Sequence, residues 1–585
     1  MKITKMIAIL SALTLLAACT GCAAQESSTA QNADTAALVS IGKPEVEELS
    51  ETVAEPAAAA DYAETIFGQD VIEINIETTA DDWDYLMENA QSKPWISGNI
   101  TINGETLSNV GIKTKGNTSL NQLPEGSERY SLKLNFGKYE DGQTCHGLDK
   151  LALNNLYADA TYLKEYMSYD LFRYMDVPAS LCTFAKITVN GEYYGFFIVI
   201  EDTDDSFIER NYGEESDVKA YKPESMDMGG MGKNGKPDFG DMPEGFDPEN
   251  MQMPEGMELP EDFDPENMPD MGGKDKRQRF GQRGDSENGE HPEMPEGFDF
   301  DPDKMQMPED FDPENFDPEN MPEMGGGFGG MMNGGRGGVS LVYSDDDPES
   351  YANIFDNNLT KTTEEDETRL IASLKGISED DLSYINVDEV LRYTACNVFL
   401  VNLDSYFSSM AHNYVLTEDS GVLSMIPWDY NLAFGSFQGQ SADSVINYAI
   451  DTVFNGVSAE DRPIIGKLLE DEENLAKYHE YLRQIAEEYI GSGYFAETID
   501  RLNSVIGEYV QNDTTSFDSY ESYTAGIEML KLYGELRAES ILGQLDGSIP
   551  STTETQKDSG ALIDASALDM TKLGKMSMDK RIQRG

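Results

Sequence analysis

The chain has few basic residues and little cysteine. Against 42 Lys and Arg it carries 109 Asp and Glu, a formal charge of -67 over 585 residues. Phosphate backbones are bound by clustered Lys and Arg, so this balance argues against nucleic acid as a partner. Five cysteines in a chain of this length do not make a disulfide framework. Cys182 and Cys396 lie in apolar segments, where we expect them to be buried thiols.

The apolar run at the start is too short to span a bilayer comfortably. It covers Met6–Ala18, follows two lysines and ends in Leu16-Ala17-Ala18-Cys19, which matches a bacterial lipobox. This predicts a lipoprotein signal peptide over 1–18 and lipidation of Cys19, with acyl chains that anchor the protein firmly. An ordinary cleaved signal or a buried first helix is the alternative. We therefore expect a lipid-anchored protein on the extracytoplasmic face of the cell membrane.

Three segments lack the apolar residues that a core requires, and we predict them to be disordered. They are a tether over 19–65, an acidic Met-, Pro- and Gly-rich insert over 224–338, and a tail over 547–585 that ends in a basic stretch. The insert repeats the unit Met-Pro-Glu-Gly-Phe-Asp-Pro-Glu-Asn-Met. Its carboxylates could collect cations weakly, but they lack the ligand spacing of an EF-hand loop, so a solvated insert is favoured.

The two remaining parts have different periodicities. Residues 66–223 alternate in strand-like fashion, with Asn190-Gly191 as a hairpin turn, and enclose one helix over 161–175. Residues 339–546 are mostly helical, with one predicted hairpin over 412–427. The fold class predicted is α+β, with a β-rich N-terminal part and a helical C-terminal part.

Three polar residues of the second part have a spacing suited to phosphoryl transfer. Asp404 follows a helix, Asn413 comes nine residues later, and Asp429 follows the predicted hairpin. Phosphoryl transfer uses one carboxylate to orient a hydroxyl group, and carboxylate and amide oxygens to hold magnesium. Asp and Asn are also common loop and cap residues, so the spacing alone leaves an ordinary loop as the alternative.

Two charged residues of the first part strengthen this hypothesis. Lys133 lies within a strand between Leu132 and Leu134, and Glu165 lies within the helix that follows. A strand Lys paired with a helix Glu positions phosphates in kinases. The alternatives are an outward-facing strand residue for Lys133 and a solvated helix face for Glu165.

Several long motifs occur in one order along the chain. They are Gly111-Ile112-Lys113-Thr114-Lys115-Gly116-Asn117-Thr118-Ser119, Tyr130-Ser131-Leu132-Lys133-Leu134, Leu151-Ala152-Leu153-Asn154-Asn155, Val189-Asn190-Gly191-Glu192-Tyr193-Tyr194-Gly195 and Pro427-Trp428-Asp429-Tyr430-Asn431-Leu432-Ala433-Phe434-Gly435. Together they resemble the CotH family, the spore coat protein H-like atypical protein kinases. The resemblance covers roughly 70–223 and 339–540.

The resemblance implies a divergent two-lobed protein-kinase-like fold with ATP and Mg²⁺ in the cleft. By position, Asp404 is the implied catalytic residue, and Asp429 and Asn413 are the implied metal ligands. Lys133 would contact the phosphates and Glu165 would hold Lys133.

Other implied contacts concern the nucleotide. Lys115, Asn117 and Ser119 would lie near the phosphates, and Glu201 near the hinge between the lobes. No G-x-G-x-x-G, H-R-D or D-F-G motif marks a standard protein-kinase site, so the sequence does not identify the element that covers the phosphates. The role of His412 also stays open between a loop hydrogen bond and metal contact.

Three functions remain at this point. The first is transfer of the ATP γ-phosphate to hydroxyls of an exported or surface protein, autophosphorylation included. The second is a catalytically silent surface-binding or structural protein for adhesion or coat assembly, and the third is transfer of another phosphate-containing group, such as a nucleotide. An intact set of Lys133, Glu165, Asp404, Asn413 and Asp429 favours catalysis, whereas the scarcity of ATP outside cells counts against it.

Overall fold

The computed structural model describes residues 61–116, 120, 122–124, 126–214, 216–224 and 337–574. The predicted signal peptide, Cys19, most of the tether and nearly all of the insert lie outside these residues, as do Asn117, Ser119 and 575–585. Among the helices that are described, none is long and apolar enough to cross a membrane.

A barrel forms the N-terminal part. Its strands, in chain order, are β1 Val71–Glu77, β2 Ile96–Ile102, β3 Glu105–Thr114, β4 Leu132–Asn135, β5 Lys150–Asn154, β6 Cys182–Val189 and β7 Glu192–Glu201. Within the described chain these strands close in the order β1-β2-β3-β4-β5-β7-β6. The barrel closes where β1 pairs with β6 in parallel. Every other pairing is antiparallel.

Apolar side chains at alternate positions along the strands fill the barrel. In β1 the side chains of Ile72, Ile74 and Ile76 are buried while the residues between them are more exposed, as the period of a pleated strand requires. Three helices accompany the barrel, with bounds α1 Asp61–Thr65, α2 Ala80–Glu88 and α3 Lys164–Tyr174.

The remaining helices and strands make the C-terminal part. Their bounds are α4 Asp205–Tyr212, β8 Lys219–Tyr221, α5 Gly337–Ser340, α6 Ala352–Phe355, α7 Glu364–Ser378, α8 Val387–Leu400, β9 Tyr414–Asp419, β10 Val422–Pro427, α9 Ala442–Ile446, α10 Pro463–Glu470, α11 Glu472–Gln484, α12 Tyr494–Asn512, α13 Tyr520–Asp546 and α14 Thr553–Gln556. A π-helix, Ile485–Ile490, continues α11. The fold is therefore α+β with a β-rich N-terminal region and a helical C-terminal region, as predicted.

Most predicted elements form, with shifted bounds. The helix predicted from residue 161 begins at Lys164. Asp159 explains the shift, because its side chain accepts hydrogen bonds from the backbone amides of Thr161 at 3.0 Å and Lys164 at 3.0 Å. A side chain that binds nearby amides in this way holds a turn before the helix. The predicted burial of Cys182 and Cys396 is confirmed.

Two predictions of disorder are wrong at their edges. Residues 61–65 of the supposed tether form α1, in which Tyr62 is buried. In the supposed tail, 547–574 lies against the helical part and buries Ala565, Leu568 and Leu573. Composition failed to predict these ordered segments because a few apolar side chains are enough to hold a segment in place when they pack against the surface of an already folded part.

Candidate active site

The loop after α8 holds Asp404 in one orientation. The helix ends at Leu400, and the next residue, Val401, has a left-handed φ of 46° that turns the chain into Asn402. The Asp404 amide donates to Asn402 Oδ1 at 3.2 Å. His412 Nε2 lies 2.6 Å from Asp404 Oδ1, and Asn413 Nδ2 donates to Asp404 Oδ2 at 3.1 Å. With 13 % of its side chain exposed, Asp404 is held by two neighbours and still reaches solvent.

The hairpin β9–β10 places Asn413 and Asp429 at the same end. Tyr414 pairs with Pro427 in the antiparallel register, so Asn413, just before β9, and Asp429, two residues after β10, both lie at the open end of the hairpin. Asp429 has a φ of 58°, a conformation that Asp and Asn adopt more readily than most residues. Strain of this kind persists where the surrounding structure holds it.

The segment after Asp429 is tied to the end of α8. The Phe434 amide donates to the Leu400 carbonyl at 2.6 Å, and the Tyr430 hydroxyl donates to Asn397 Oδ1 at 3.0 Å. The same helix end leads into the Asp404 loop. Asp404, Asn413 and Asp429, which the sequence predicted as one trio, are thus carried by connected elements.

Glu165 on α3 is buried near Asp429. The Tyr169 hydroxyl links the two, because it accepts from the Asp429 amide at 3.1 Å and donates to Glu165 Oε1 at 3.4 Å. Burial, and then the negative charge of Asp429, raise the pKa of Glu165 to about 8, against the opposing charge of Lys115 and the hydrogen bond from Asn154. Two carboxylates therefore share a space that would favour a cation between them.

Lys115 reaches this cluster through Asn154. Lys115 Nζ donates to Asn154 Oδ1 at 2.5 Å, and Asn154 Nδ2 donates to Glu165 Oε2 at 2.9 Å. The strand β5 ends at Asn154, which places this amide between the end of β3 and α3. Glu165 therefore positions Lys115, through one intervening amide.

The implied pair of Lys133 with Glu165 is not formed. Lys133 Nζ makes its ion pair with Asp202 Oδ2, just after β7. Burial raises the pKa of the Asp202 carboxyl, but the charges of Lys133, Lys150 and Lys115 outweigh it, so the pKa lies below its usual range. The prediction fails because the order of motifs along the sequence indicates which strands and helices form, but not which of their side chains contact each other in the fold.

Glu201, which the resemblance places near the hinge between the lobes, is among the residues that line the first half of the cleft. Its carboxylate accepts from the Tyr62 hydroxyl at 2.6 Å, from Arg210 Nε at 2.9 Å and Nη2 at 2.6 Å, and from the Leu181 amide at 2.9 Å. It is fully buried. With its oxygens engaged by the protein, Glu201 joins α1, α4 and the residue before β6 at the edge of the cleft.

One cleft is lined by several of these groups, whereas Asp404, Asn413 and Lys133 are not among its lining residues. Its two adjoining halves enclose about 250 and 450 Å³ and share Lys115, Asn154, Glu165 and Asp429 as lining residues. Ala152 and Ile200 of the barrel line the first half, opposite Trp428. The cleft is thus bounded by the barrel on one side and by the α8–hairpin region on the other, with a cation and carboxylates facing each other.

The comparison with protein families identifies the family of the chain that forms this cleft. The family model for CotH kinase protein matches residues 112–267 and 306–541, which is more than half of the chain. The chain belongs to the CotH kinase protein family. A comparison with the curated proteins found no match. Membership indicates kinase-like activity, and the matched residues include all of those that form the cleft described above.

The donor set of this CotH kinase cleft fits magnesium. Mg²⁺ prefers oxygen ligands and is commonly held by one or two carboxylates together with substrate phosphates. Asp429 offers a carboxylate, and Asn413, whose Nδ2 is used by Asp404, offers Oδ1. Among the described residues no group of three or more His, Cys, Asp and Glu could hold a metal ion by protein ligands alone. A site completed by phosphate oxygens is therefore the arrangement that fits.

Three polar residues of this CotH kinase site were missed as functional groups. Asn154 joins Lys115 to Glu165, Tyr169 joins Glu165 to the Asp429 amide, and Asp202 holds Lys133. A signal was present for Asn154, which lies in a motif of the resemblance, and for Asp202, which directly follows Glu201. Of the other implied residues, Asn117 and Ser119 lie outside the described chain.

Proposed function

We propose that this CotH kinase protein transfers the γ-phosphoryl group of ATP to hydroxyl groups of exported or surface proteins. The observation that carries the proposal is the oriented Asp404 carboxylate on elements connected to Asp429, which lines the same cleft as Lys115. In this proposal the barrel and the helical part act as the two lobes of a divergent protein kinase. A silent surface protein has no need for this arrangement.

Asp404 is the proposed catalytic base. His412 and Asn413 each contact one of its oxygens, so the carboxylate is fixed without being neutralised by Lys or Arg. Asp404 orients the acceptor hydroxyl and takes its proton as the bond from the acceptor oxygen to the γ-phosphorus forms. The bond between that phosphorus and the β–γ bridging oxygen breaks, and ADP leaves.

The opposite side of the cleft would receive the phosphates. Lys115 lies in both halves of the cleft and is oriented by Asn154, so its ammonium would bind phosphate oxygens. Asp429 and Asn413 Oδ1 would hold magnesium, which supplies charge neutralisation to the phosphates when bound. His412 acts through Asp404 rather than on the metal, because its Nε2 is used by the Asp404 carboxylate.

The acceptor class depends on location. Lipid attachment through Cys19, and with it a position on the extracytoplasmic face of the membrane, stays a prediction from the sequence. If the protein is exported, its acceptors are proteins that share the compartment, and ATP must be supplied there. The intact set of charged groups in the cleft supports a phosphotransferase over adhesion or coat assembly alone.

The test is magnesium-dependent transfer of radiolabelled phosphate from ATP by the full chain. We expect Asp404→Asn to lower kcat by about 10²-fold or more, because a positioned base contributes that much, while the KM for ATP changes little. Asp419→Asn is the matched control, since Asp419 is an exposed carboxylate on the same hairpin.

Two results would contradict the proposal. One is transfer by Asp404→Asn at the rate of the unmodified protein. The other is a folded protein that neither binds nor turns over ATP, which would favour the surface-binding function.

A further inference from the structure

The barrel surface that lines the cleft continues into a row of lysines. In the antiparallel register, Lys133 on β4 lies opposite Lys113 on β3 and Ala152 on β5. Ala152 in turn lies opposite Ile200 on β7, and both of these residues line the first half of the cleft. Residues directly opposite each other share one face of a sheet, so the two lysines extend the same face sideways from the cleft. The two strand spacings between Lys113 and Ala152 amount to roughly 10 Å.

The ring of Trp95 orders two ammonium groups beside this row. Lys113 Nζ lies 4.7 Å from the ring centroid and Lys138 Nζ lies 5.2 Å from it. Gly111 makes room for them, since a Cβ there would be 2.5 Å from Lys138 Cβ and 3.1 Å from Trp95 Cε3. Within the part of the chain that the structure describes, neither ammonium has a hydrogen bond or an ion pair. An aromatic ring orients a cation without cancelling its charge, so both groups are ordered in advance for an anion.

These lysines place like charges together in a strongly acidic protein. Lys113 and Lys133 are direct cross-strand neighbours, an arrangement in which like charges destabilise a sheet. Burial lowers the pKa of the Lys113 ammonium, and the positive charges of Lys133, Lys93 and Lys138 lower it further, against the negative charge of Asp202. Asp202 is itself paired with Lys133. A bound anion would relieve this repulsion.

We infer that Lys93, Trp95, Lys113 and Lys138, together the Trp95 patch, bind an acidic segment of the acceptor protein while its hydroxyl enters the cleft. The patch recognises the partner by its carboxylates, which complement ammonium groups gathered around one aromatic ring. The net charge of -67 does not prevent this contact, because exposed charges further away than about 8 Å are largely screened at physiological salt. The inference rests on the proposed function for the acceptor, and on the patch alone for the binding.

The place of the patch favours an acceptor over an anionic membrane. Basic clusters that bind lipid surfaces have about four to eight Lys and Arg, whereas the Trp95 patch has three lysines. The patch also shares its sheet face with Ala152 and Ile200 of the cleft. An anion bound there lies beside the place to which a phosphoryl acceptor must come.

Peptide binding by the full chain without ATP tests the patch. The probe is a fluorescent peptide with one Ser flanked by Glu and Asp, beside the same peptide with Gln and Asn in their place. We expect Lys113→Gln combined with Lys138→Gln to weaken binding of the acidic peptide at least 10-fold, without loss of stability in urea. Lys186→Gln, a half-exposed lysine on β6 of the same barrel, is the matched control and should bind normally. Equal affinity of the unmodified protein for the two peptides would overturn the inference.

Transfer kinetics separate the patch from the catalytic groups. With ATP and magnesium, the same double substitution should raise the KM for the acidic peptide at least 10-fold and leave kcat and the KM for ATP unchanged. Equal transfer to both peptides would overturn the inference and leave the proposed function standing. Binding of the acidic peptide through the patch without any transfer would support the patch and overturn the proposed function.

Two further results would assign the lysines to another ligand and overturn the inference. One is a raised KM for ATP in the double variant, which would mean that the patch holds nucleotide phosphates. The other is binding to vesicles of phosphatidylglycerol that depends on these lysines, with no binding of the acidic peptide.

Discussion

At the scale of single residues, the two lysines of the candidate site have different partners. Lys115 Nζ donates to a neutral amide, Asn154 Oδ1, and Lys115 lines both halves of the cleft. Lys133 is paired with the carboxylate of Asp202 and is not among the residues that line the cleft. A cation that is already neutralised has less to offer a phosphate, so the geometry gives Lys115 the larger share of phosphate binding.

Substitution of the two lysines should separate their contributions. We expect Lys115→Met to lower kcat/KM for ATP by about 10- to 100-fold, the effect of losing a hydrogen bond to a charged group. Lys133→Met should have a smaller effect, and Lys186→Met, a half-exposed lysine on β6, should have none. Steady-state kinetics of ATP turnover decides the order, and a larger loss for Lys133→Met would restore the role that the family resemblance implied.

At the scale of elements, the end of β7 is a junction. Glu201 accepts hydrogen bonds from α1 through Tyr62, from α4 through Arg210 and from the residue before β6 through the Leu181 amide. Tyr62 lies 139 residues before Glu201 along the chain, and each of the three donors would lose its hydrogen-bond acceptor without this carboxylate. The carboxylate therefore joins three parts of the chain at the cleft that it lines.

Glu201→Gln should lower stability and leave nucleotide binding intact. Arg210, with 15 % of its side chain exposed, would lose a buried ionic partner, which costs about 3–5 kcal/mol of unfolding free energy. Glu192→Gln, at the exposed start of the same strand, should stay within about 0.5 kcal/mol. Urea unfolding measures the difference, and a stable Glu201→Gln protein with a raised Kd for ATP would point to the nucleotide instead.

At the scale of the whole molecule, two ion pairs among the described residues join the barrel part to the helices after residue 490. Arg129 Nη1 contacts Asp513 Oδ2 at 2.6 Å with side chains 2 % and 0 % exposed, and Arg501 Nη1 contacts Asp70 Oδ1 at 2.5 Å with about half of each exposed. Arg129 also donates to the carbonyls of Asn155 and Phe196. Because the first pair is buried, removing one of its two charges costs more unfolding free energy than removing one charge of the exposed pair.

Matched substitutions test this ranking. Asp513→Asn should cost about 3–5 kcal/mol of unfolding free energy, because it leaves the Arg129 guanidinium buried without its counterion. Asp70→Asn should cost at most about 1 kcal/mol, since an exposed pair is screened by water and salt. Urea unfolding of both variants is the measurement, and equal losses would mean that the buried pair does not hold the two parts together.

Much of the architecture could be predicted from local sequence patterns. The alternation over 71–76, the Asn190-Gly191 turn and the hairpin over 412–427 all correspond to strands of the structure. They were predictable because the period of a strand and the chemistry of a tight turn are properties of neighbouring residues. The closure of the barrel by the parallel pair β1 and β6 was not, since no local signal records which strands meet across a hundred residues.

The sequence by itself determined the α+β class, the family and the trio of Asp404, Asn413 and Asp429, because these depend on composition, periodicity and motif order. Only the tertiary structure decided that Lys133 pairs with Asp202, that Glu165 reaches Lys115 through Asn154, and that residues 547–574 pack against the helical part. The physical reason is that a buried charge takes whichever partner the packing brings within hydrogen-bond distance, and packing is a property of the folded chain as a whole.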